Sequence, residues 1–253
     1  MSTGLQFDYE WRTTAFVVVM VPVLIALGFW QLDRAAEKRQ IASAFAQMQE
    51  LPAIGLSELR GVSAEHQLAY RQVALTGEFL PGRYFLLDNR MSKGRYGNEV
   101  LALFALQDTN DLVVVNRGWV AADPARLSLP AVIEVEGPVT ITGRIYVQLG
   151  TPYLLGDEPV IAGWPKRLQA LDIDKMRMAL GDDGDRLFPY SVRIAQDQPG
   201  ALDAHWPVVN QSPEKHTGYA VQWFAMSFVL ALLYLLRSTN VMELIRGSRQ
   251  RSE

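Results

Sequence analysis

Three histidines are the side chains of this sequence most suited to binding a transition metal, because the chain has no cysteine. One of them, His216, precedes a long apolar stretch and is followed by Tyr219 and Trp223. At about 100° per residue, these three residues fall within about 60° of one another on an α-helix. An imidazole nitrogen can ligate iron, and flat aromatic rings can pack on a macrocycle. This face is therefore a candidate haem-type porphyrin site.

A second group of candidate residues lies at the end of the other apolar stretch, at Trp30, Gln31 and Arg34. Arg34 or Lys38 could meet porphyrin propionates at the water boundary. Plainer interpretations stay open at this point. The aromatic residues are also typical anchors at a membrane interface, and the two glutamines, Gln31 and Gln222, could bond each other or the backbone between helices. His216 could also be an exposed residue at the start of a helix.

The elements that must position these residues are two stretches without a charged residue, at 13–32 and 217–236. Each has the length of about 20 residues that a helix needs to cross a bilayer. A buried core helix is usually shorter or interrupted by polar residues, and the apolar region of a signal peptide is shorter. The sequence therefore predicts five parts: an N-terminus (1–12), a first membrane helix (13–32), an extracytoplasmic α+β domain (33–216), a second membrane helix (217–236) and an arginine-rich tail (237–253).

The orientation of the spans is predicted from the basic residues that flank them. Five arginines lie beside the termini, at Arg12 and in the tail, against four basic residues at the two edges of the central segment. This small excess places both termini in the cytoplasm and the domain outside it. The expected arrangement is two spans in contact with lipid and the main domain outside the cytoplasm.

The central segment combines a few helices with many short β-like runs. The first apolar stretch is expected to continue outward as an amphipathic helix to about Met48, and 172–180, closed by Gly181, has helix-capping signals. Strands are predicted at 71–76, 83–87, 100–106, 112–120, 139–147 and 189–195, with a hairpin turn at 108–111. Short strands with tight connections favour an antiparallel sheet curled toward a barrel.

Composition and motifs argue against several functional classes. The net charge of −3 is not that of a nucleic-acid-binding protein, which usually carries a basic excess. The sequence contains no G-x-S-x-G, Walker A, H-E-x-x-H or G-x-G-x-x-G motif, and carboxylate pairs such as Asp182-Asp183 have a simple explanation in polar loops. We expect a protein that is not an enzyme.

Four sequence blocks carry a resemblance to a known family. They are GFWQLDRAAEKR (28–39), YRQVALTGEF (70–79), VNRGWV (115–120) and SPEKHTGYAVQWFAM (212–226). In this order and between two apolar stretches, they resemble the surfeit-locus family of cytochrome c oxidase assembly factors. The resemblance implies two membrane helices and a domain on the periplasmic side in bacteria.

The resemblance also implies a role in assembling haem-copper oxidases, at the stage where haem a enters subunit I. Its implied partners are subunit I and other oxidase assembly components. Bacterial members are regarded as haem a binders, with the histidine before the second span, here His216, as the favoured iron ligand. Trp30, Arg34, Tyr219 and Trp223 match other family positions, and their contacts with haem are an expectation. The absence of cysteine separates this chain from copper-delivery factors, which need thiolates.

The middle block contains Asn116, Arg117, Gly118 and Trp119, for which two roles stay open. Glycine permits a bulge, which favours a structural role, whereas arginine and tryptophan are typical interface anchors, which favours a partner-facing one. The whole chain likewise admits two functions. It is expected to be a haem chaperone or, alternatively, a cofactor-free membrane scaffold that holds an oxidase intermediate.

Overall fold

A computed structural model describes residues 7–59, 68–148, 163–208 and 211–240. The chain divides into two compact units: one comprises residues 1–44 and 208–253, the other residues 45–207. Their α-helices are α1 (Trp11–Glu50), α2 (Ile173–Leu180) and α3 (Pro213–Ser238). The prediction that the first apolar stretch continues as a helix is confirmed, since α1 ends only before Leu51-Pro52.

Both long helices, α1 and α3, are long and apolar enough to cross a membrane, judged by length and composition. Only 17% of the most apolar window of α1 and 11% of that of α3 are buried inside the protein. The core helix of a soluble protein would be mostly buried. The apolar side chains of both helices are therefore turned outward, which is compatible with a membrane protein.

Small side chains line the seam between α1 and α3. The buried positions of α1 are Val17, Leu24, Gly28 and Ala35, separated by seven, four and seven residues as in a coiled-coil seam. On α3 the corresponding buried residues include Ala220 and Ser227. A Cβ atom on Gly28 would lie 2.4 Å from a ring carbon of Phe224, so glycine is required for this close approach. The sequence analysis did not predict this seam.

The second unit is built on a seven-stranded sheet. Its strands are β1 (Ile54–Gly55), β2 (Gln72–Ser92), β3 (Arg95–Leu106), β4 (Leu112–Ala121), β5 (Val139–Tyr146), β6 (Lys166–Leu168) and β7 (Leu187–Ile194). The six predicted runs all fall on strands, but 71–76 and 83–87 form one long strand, β2, with a register shift between Phe79 and Tyr84. The predicted turn at 108–111 connects β3 to β4.

The sheet is mixed, which corrects the prediction of an antiparallel one. The strands follow the order β1-β2-β3-β4-β7-β5, and β5 also pairs with β2. The pairs β1–β2, β2–β6 and β4–β7 are parallel. The parallel β4–β7 pair is possible because a long crossover, which includes β5, β6 and α2, separates these strands in sequence. The predicted α2 is confirmed, with the Asp172 side chain accepting from the Lys175 amide at 3.0 Å.

Two hydrophobic clusters lie on the two faces of the strands. On β4, Val113 and Val115 belong to the first cluster, and Leu112 and Val114 belong to the second. The second cluster is covered by α2, whose Met176 is fully buried. Strands buried on both faces read as continuous apolar runs, so the sequence of β4 shows little alternation.

The side chain of Asp88, on β2, accepts hydrogen bonds from residues of β3 near the end of the β2–β3 hairpin. One of its carboxylate oxygens accepts hydrogen bonds from the Asn89 amide at 2.8 Å, the Tyr96 hydroxyl at 2.5 Å and the Asn98 side chain at 3.2 Å. The other lies 2.8 Å from a guanidinium nitrogen of Arg126. Burial alone would raise the pKa of Asp88, but these bonds and the Arg126 charge outweigh burial and lower the pKa below its ordinary 3.8.

This cluster predicts an acid-dependent part of the protein's stability. The unfolded chain binds a proton at Asp88 more readily than the folded chain, so the stabilisation is present above pH 3.8 and is lost as the pH falls through the lowered pKa. We expect Asp88→Asn to lower the free energy of unfolding at pH 7 by about 1–3 kcal/mol. Thermal unfolding of the natural protein and of Asp88→Asn should show that the difference in stability between them becomes smaller at acid pH. Asp108→Asn, at an exposed position, is the control; an equal effect at both positions would contradict the prediction.

Candidate functional site

The predicted histidine lies in the first turn of α3 and contacts α1. The Nδ1 atom of His216 lies 2.8 Å from the Oε1 atom of Gln31, and the imidazole is half-buried. Because an amide oxygen only accepts hydrogen bonds, the hydrogen of this contact lies on Nδ1, and in the neutral imidazole Nε2 is then the nitrogen with a lone pair. Gln31 thus bonds His216 and not Gln222, which is exposed.

A second polar contact between the same helices lies close by. A guanidinium nitrogen of Arg39 donates to the Thr217 hydroxyl at 3.0 Å, and that hydroxyl donates to the Pro213 carbonyl at 3.1 Å. Phe29 and Phe224 pack edge to face, with ring centroids 5.4 Å apart. Two hydrogen bonds and one pair of aromatic rings therefore hold α1 and α3 together in the part of the helix pair that contains His216.

The predicted aromatic residues lie on the same two helices as His216 and Gln31 and do not pack on one another. Trp30 is 50% exposed and Tyr219 is 47% exposed, while Trp223 is half-buried. Among ring–ring contacts of the described residues, none involves Trp30, Tyr219 or Trp223. Their faces are available to lipid or to a flat ligand, so the geometry is compatible with both interpretations made from the sequence.

Arg34, the predicted propionate partner, already has contacts within α1. It bonds the Glu37 carboxylate at 2.6 Å and its guanidinium carbon lies 5.9 Å from the centre of the Trp30 ring. The hydrogen bond from Arg34, and then the charge of Arg34, lower the pKa of Glu37. Both members of this ion pair are about half exposed, so Arg34 can exchange partners at little cost.

The block around Arg117 lies inside the sheet domain. Asn116 is 1% exposed and Arg117 is 3% exposed. Arg117 donates to the carbonyls of Gly200 at 2.7 Å and Ile133 at 2.6 Å, and the Trp119 indole donates to the Arg90 carbonyl at 2.8 Å. These bonds favour the structural role over the partner-facing one for Asn116 and Arg117, because their side chains are turned away from the surface.

The donor set around His216 fits haem better than a bare metal ion. The described residues contain no group of three or more histidine, aspartate and glutamate side chains able to hold a metal. A single imidazole with a free Nε2 and a fixed orientation suits an iron whose remaining ligands come from a porphyrin. His205 is exposed in the other unit, and His66 and 241–253 lie outside the described residues.

Comparison with known proteins places the chain in a family. The model of the SURF1 family matches residues 18–228, which include most of both long helices and the whole sheet domain. The chain belongs to the SURF1 family. A SURF1-like protein of Rickettsia bellii is 32% identical over 95% of this chain and 96% of its own length. Those of Rickettsia felis and Caenorhabditis briggsae are 25% and 23% identical over 91% and 89% of this chain, and over 98% and 75% of their own lengths.

The family assignment confirms the resemblance drawn from the four sequence blocks. SURF1 proteins are known generally as oxidase assembly factors. Gln31, which contacts His216, lies in the first of those blocks, but the sequence analysis offered it no role at the histidine. The signal was present: Gln31 is the last amide side chain of the first apolar stretch and lies at the membrane depth predicted for His216.

Proposed function

We propose that this chain is an inner-membrane assembly factor that binds haem a transiently and assists its insertion into subunit I of cytochrome c oxidase. The observation that carries the proposal is the bond between Nδ1 of His216 and Oε1 of Gln31 at 2.8 Å. It leaves Nε2 as the nitrogen that can ligate iron, and it fixes the plane of the imidazole. Membership of a family of oxidase assembly factors supports the choice of partner.

The membrane arrangement is part of the same proposal. Helices α1 and α3 cross the inner membrane with both termini in the cytoplasm, and the sheet domain lies in the periplasm. The outward-facing apolar side chains of both helices support two spans. His216 then lies at the outer edge of the bilayer, where a hydrophobic macrocycle can remain in lipid and its propionates can reach water.

The chain's residues have binding roles and no catalytic one. His216 ligates the iron, Gln31 orients His216, and the exposed faces of Trp30 and Tyr219 pack on the ring. Arg34 leaves Glu37 to pair with a propionate. Haem a, when bound, would supply an iron that an imidazole nitrogen can ligate. A single protein ligand would favour transient binding, because only that one contact to the iron would have to be given up on transfer. We propose that the chain is not an enzyme.

The test is the visible spectrum of the full chain purified from cells that make haem a. We expect bound haem in the natural protein and at least a tenfold loss in His216→Ala, because that variant removes the one side chain proposed to ligate the iron. His205→Ala is the matched control, because His205 is an exposed histidine of the sheet domain, and it should leave the spectrum unchanged.

Two results would contradict haem binding: no haem in the natural protein, or equal spectra for His216→Ala and the natural protein. Copurification with subunit I distinguishes the haem chaperone from the alternative function, a cofactor-free scaffold. A cofactor-free scaffold would still capture subunit I in both histidine variants while carrying no haem.

A further inference from the structure

Arg193 lies in a group of charged residues on the face of the sheet opposite the first hydrophobic cluster. Its Cα atom is paired with that of Asn116 on β4 and that of Arg144 on β5. Residues directly opposite each other on paired strands point to the same face. The neighbours of Arg193 in sequence, Val192 and Ile194, are fully buried in the first cluster. Arg193 therefore points away from that cluster.

Two aromatic rings hold the Arg193 guanidinium. Its central carbon lies 3.7 Å from the centre of the Tyr146 ring and 4.9 Å from that of Trp206. Trp206 is fixed in turn, because its indole N–H donates to the Ile194 carbonyl at 2.8 Å. Contact with the faces of aromatic rings stabilises a cation but uses none of its N–H donors. The donors of Arg193 remain available in the plane of the guanidinium.

At least one of those donors has no acceptor among the described residues. The Nε atom of Arg193 is buried without a hydrogen-bond partner, as is the Nε atom of Arg90, which lies 3.9 Å from Glu99. Glu99 cannot serve both arginines well, since its other oxygen accepts from the Asn116 side chain at 2.6 Å. Burial lowers the pKa of Arg193, and the Arg90 charge lowers it further. Buried donors in proteins normally have partners, so an anion is expected here.

The charges of this group determine the kind of anion. Two guanidinium groups, those of Arg90 and Arg193, lie near one carboxylate, that of Glu99, which leaves one positive charge uncompensated among the described residues. Arg144 pairs with Arg193 across β5 and β7 and adds a second positive charge on the same face, with its guanidinium carbon 4.9 Å from the centre of the Phe45 ring. A phosphate carries nearly two negative charges at neutral pH and offers several oxygens to planar guanidinium groups. We propose that this face of the sheet binds a phosphate group through Arg193 and Arg90, with the half-exposed Arg144 at the rim.

Thermal unfolding of the full chain in detergent, with inorganic phosphate replacing chloride at constant ionic strength, tests this proposal. We expect a saturable rise in the unfolding temperature for the natural protein and none for Arg193→Gln. Arg177→Gln is the matched control, because Arg177 belongs to the same domain and already bonds Asp174 at 3.0 Å, and it should retain the rise. An equal rise in Arg193→Gln and the natural protein, or no saturable rise in the natural protein, would overturn the proposal.

A second variant covers the case in which Arg193→Gln does not fold. Arg144→Gln changes a half-exposed residue and should weaken phosphate binding about tenfold, the effect of losing one charge-assisted hydrogen bond. Unchanged binding in both Arg144→Gln and Arg193→Lys, which retains the charge but lacks the guanidinium fork, would contradict the assignment.

Nanodiscs identify the source of the phosphate. A free phosphate raises the unfolding temperature equally in discs of phosphatidylcholine and in discs that also contain phosphatidic acid. A lipid source is shown when phosphatidic acid in the disc raises the unfolding temperature and inorganic phosphate added to the same discs raises it no further. Either result supports the site, provided that Arg193→Gln abolishes it.

Discussion

Gly118→Ala is expected to destabilise the sheet domain by about 3–5 kcal/mol, because backbone strain and a steric clash add at one position. Gly118 has a φ of +112°, a conformation that side chains other than glycine rarely adopt. A Cβ atom there would also lie 2.7 Å from the carbonyl carbon and oxygen of Asp203. Those are backbone atoms, so no side-chain rotation relieves the clash.

The segment that contacts Gly118 cannot move without breaking other bonds. The Trp119 amide donates to the Asp203 carbonyl at 2.9 Å, and the Leu202 amide donates to the Arg117 carbonyl at 2.7 Å. Shifting 202–203 outward would break both and disturb the buried Arg117.

The measurement for Gly118→Ala is the unfolding temperature of the full chain, followed by tryptophan fluorescence. We expect a decrease of about 10 °C or more for a domain of this size. Gly137→Ala is the matched control: Gly137 also has a positive φ, +75°, but nothing lies within 4 Å of its added Cβ. It should cost only about 1 kcal/mol of strain. Equal decreases for the two variants would show that the contact with Asp203 is unimportant.

Elements whose signals are local could be predicted from the sequence. The apolar stretches of α1 and α3 follow from length and composition alone. Helix α2 has its own signals, an aspartate that caps its start and Gly181 at its end. Most strands could be located for the same reason, since each is a short run of β-branched and aromatic residues between turn residues.

Strand pairing and burial depend on residues far apart in sequence and could not be predicted in this way. Nothing in the sequence of β4 indicates that it pairs in parallel with β7. The backbone N–H and C=O groups that pair strands are the same in nearly every residue, so they do not specify which strand becomes the partner. Arg117 is a residue type usually found at the surface. Its burial depends on carbonyls at Ile133 and Gly200, which only the folded chain brings to it.

Only the part of the candidate site that lies on one helix could be predicted, because contacts between two helices are not encoded locally. The spacing of His216, Tyr219 and Trp223 on one helix could be worked out from the period of the helix. The contact with Gln31 depends on how α1 and α3 are rotated about their axes, which the small residues of the seam determine. Helical periodicity gives the faces of one helix but not which face of a second helix meets them.

Gln31→Leu is expected to weaken haem binding about 10- to 100-fold, the usual effect of removing the residue that orients a metal-ligating histidine. Without the Oε1 acceptor at 2.8 Å, the hydrogen on His216 is free to move to Nε2, the nitrogen proposed as the iron ligand. This prediction rests on the proposed function. It is measured by titrating haem into the purified full chain and following the Soret band.

Two further variants separate orientation of His216 from a general effect on the helices. Gln222→Leu makes the same change at an exposed position of α3 and should leave haem affinity unchanged. Gln31→Glu retains an acceptor for the Nδ1 hydrogen and should restore binding to within a few-fold of the natural protein, whereas leucine at the same position cannot. Nitrogen-15 NMR of the imidazole in the haem-free chain gives an independent readout, with Nδ1 protonated in the natural protein and in Gln31→Glu but a mixture of tautomers in Gln31→Leu. Equal haem affinities for Gln31→Leu and Gln222→Leu, with the same tautomer in both, would show that α1 supplies only a surface for α3 to pack against and that His216 binds without its help.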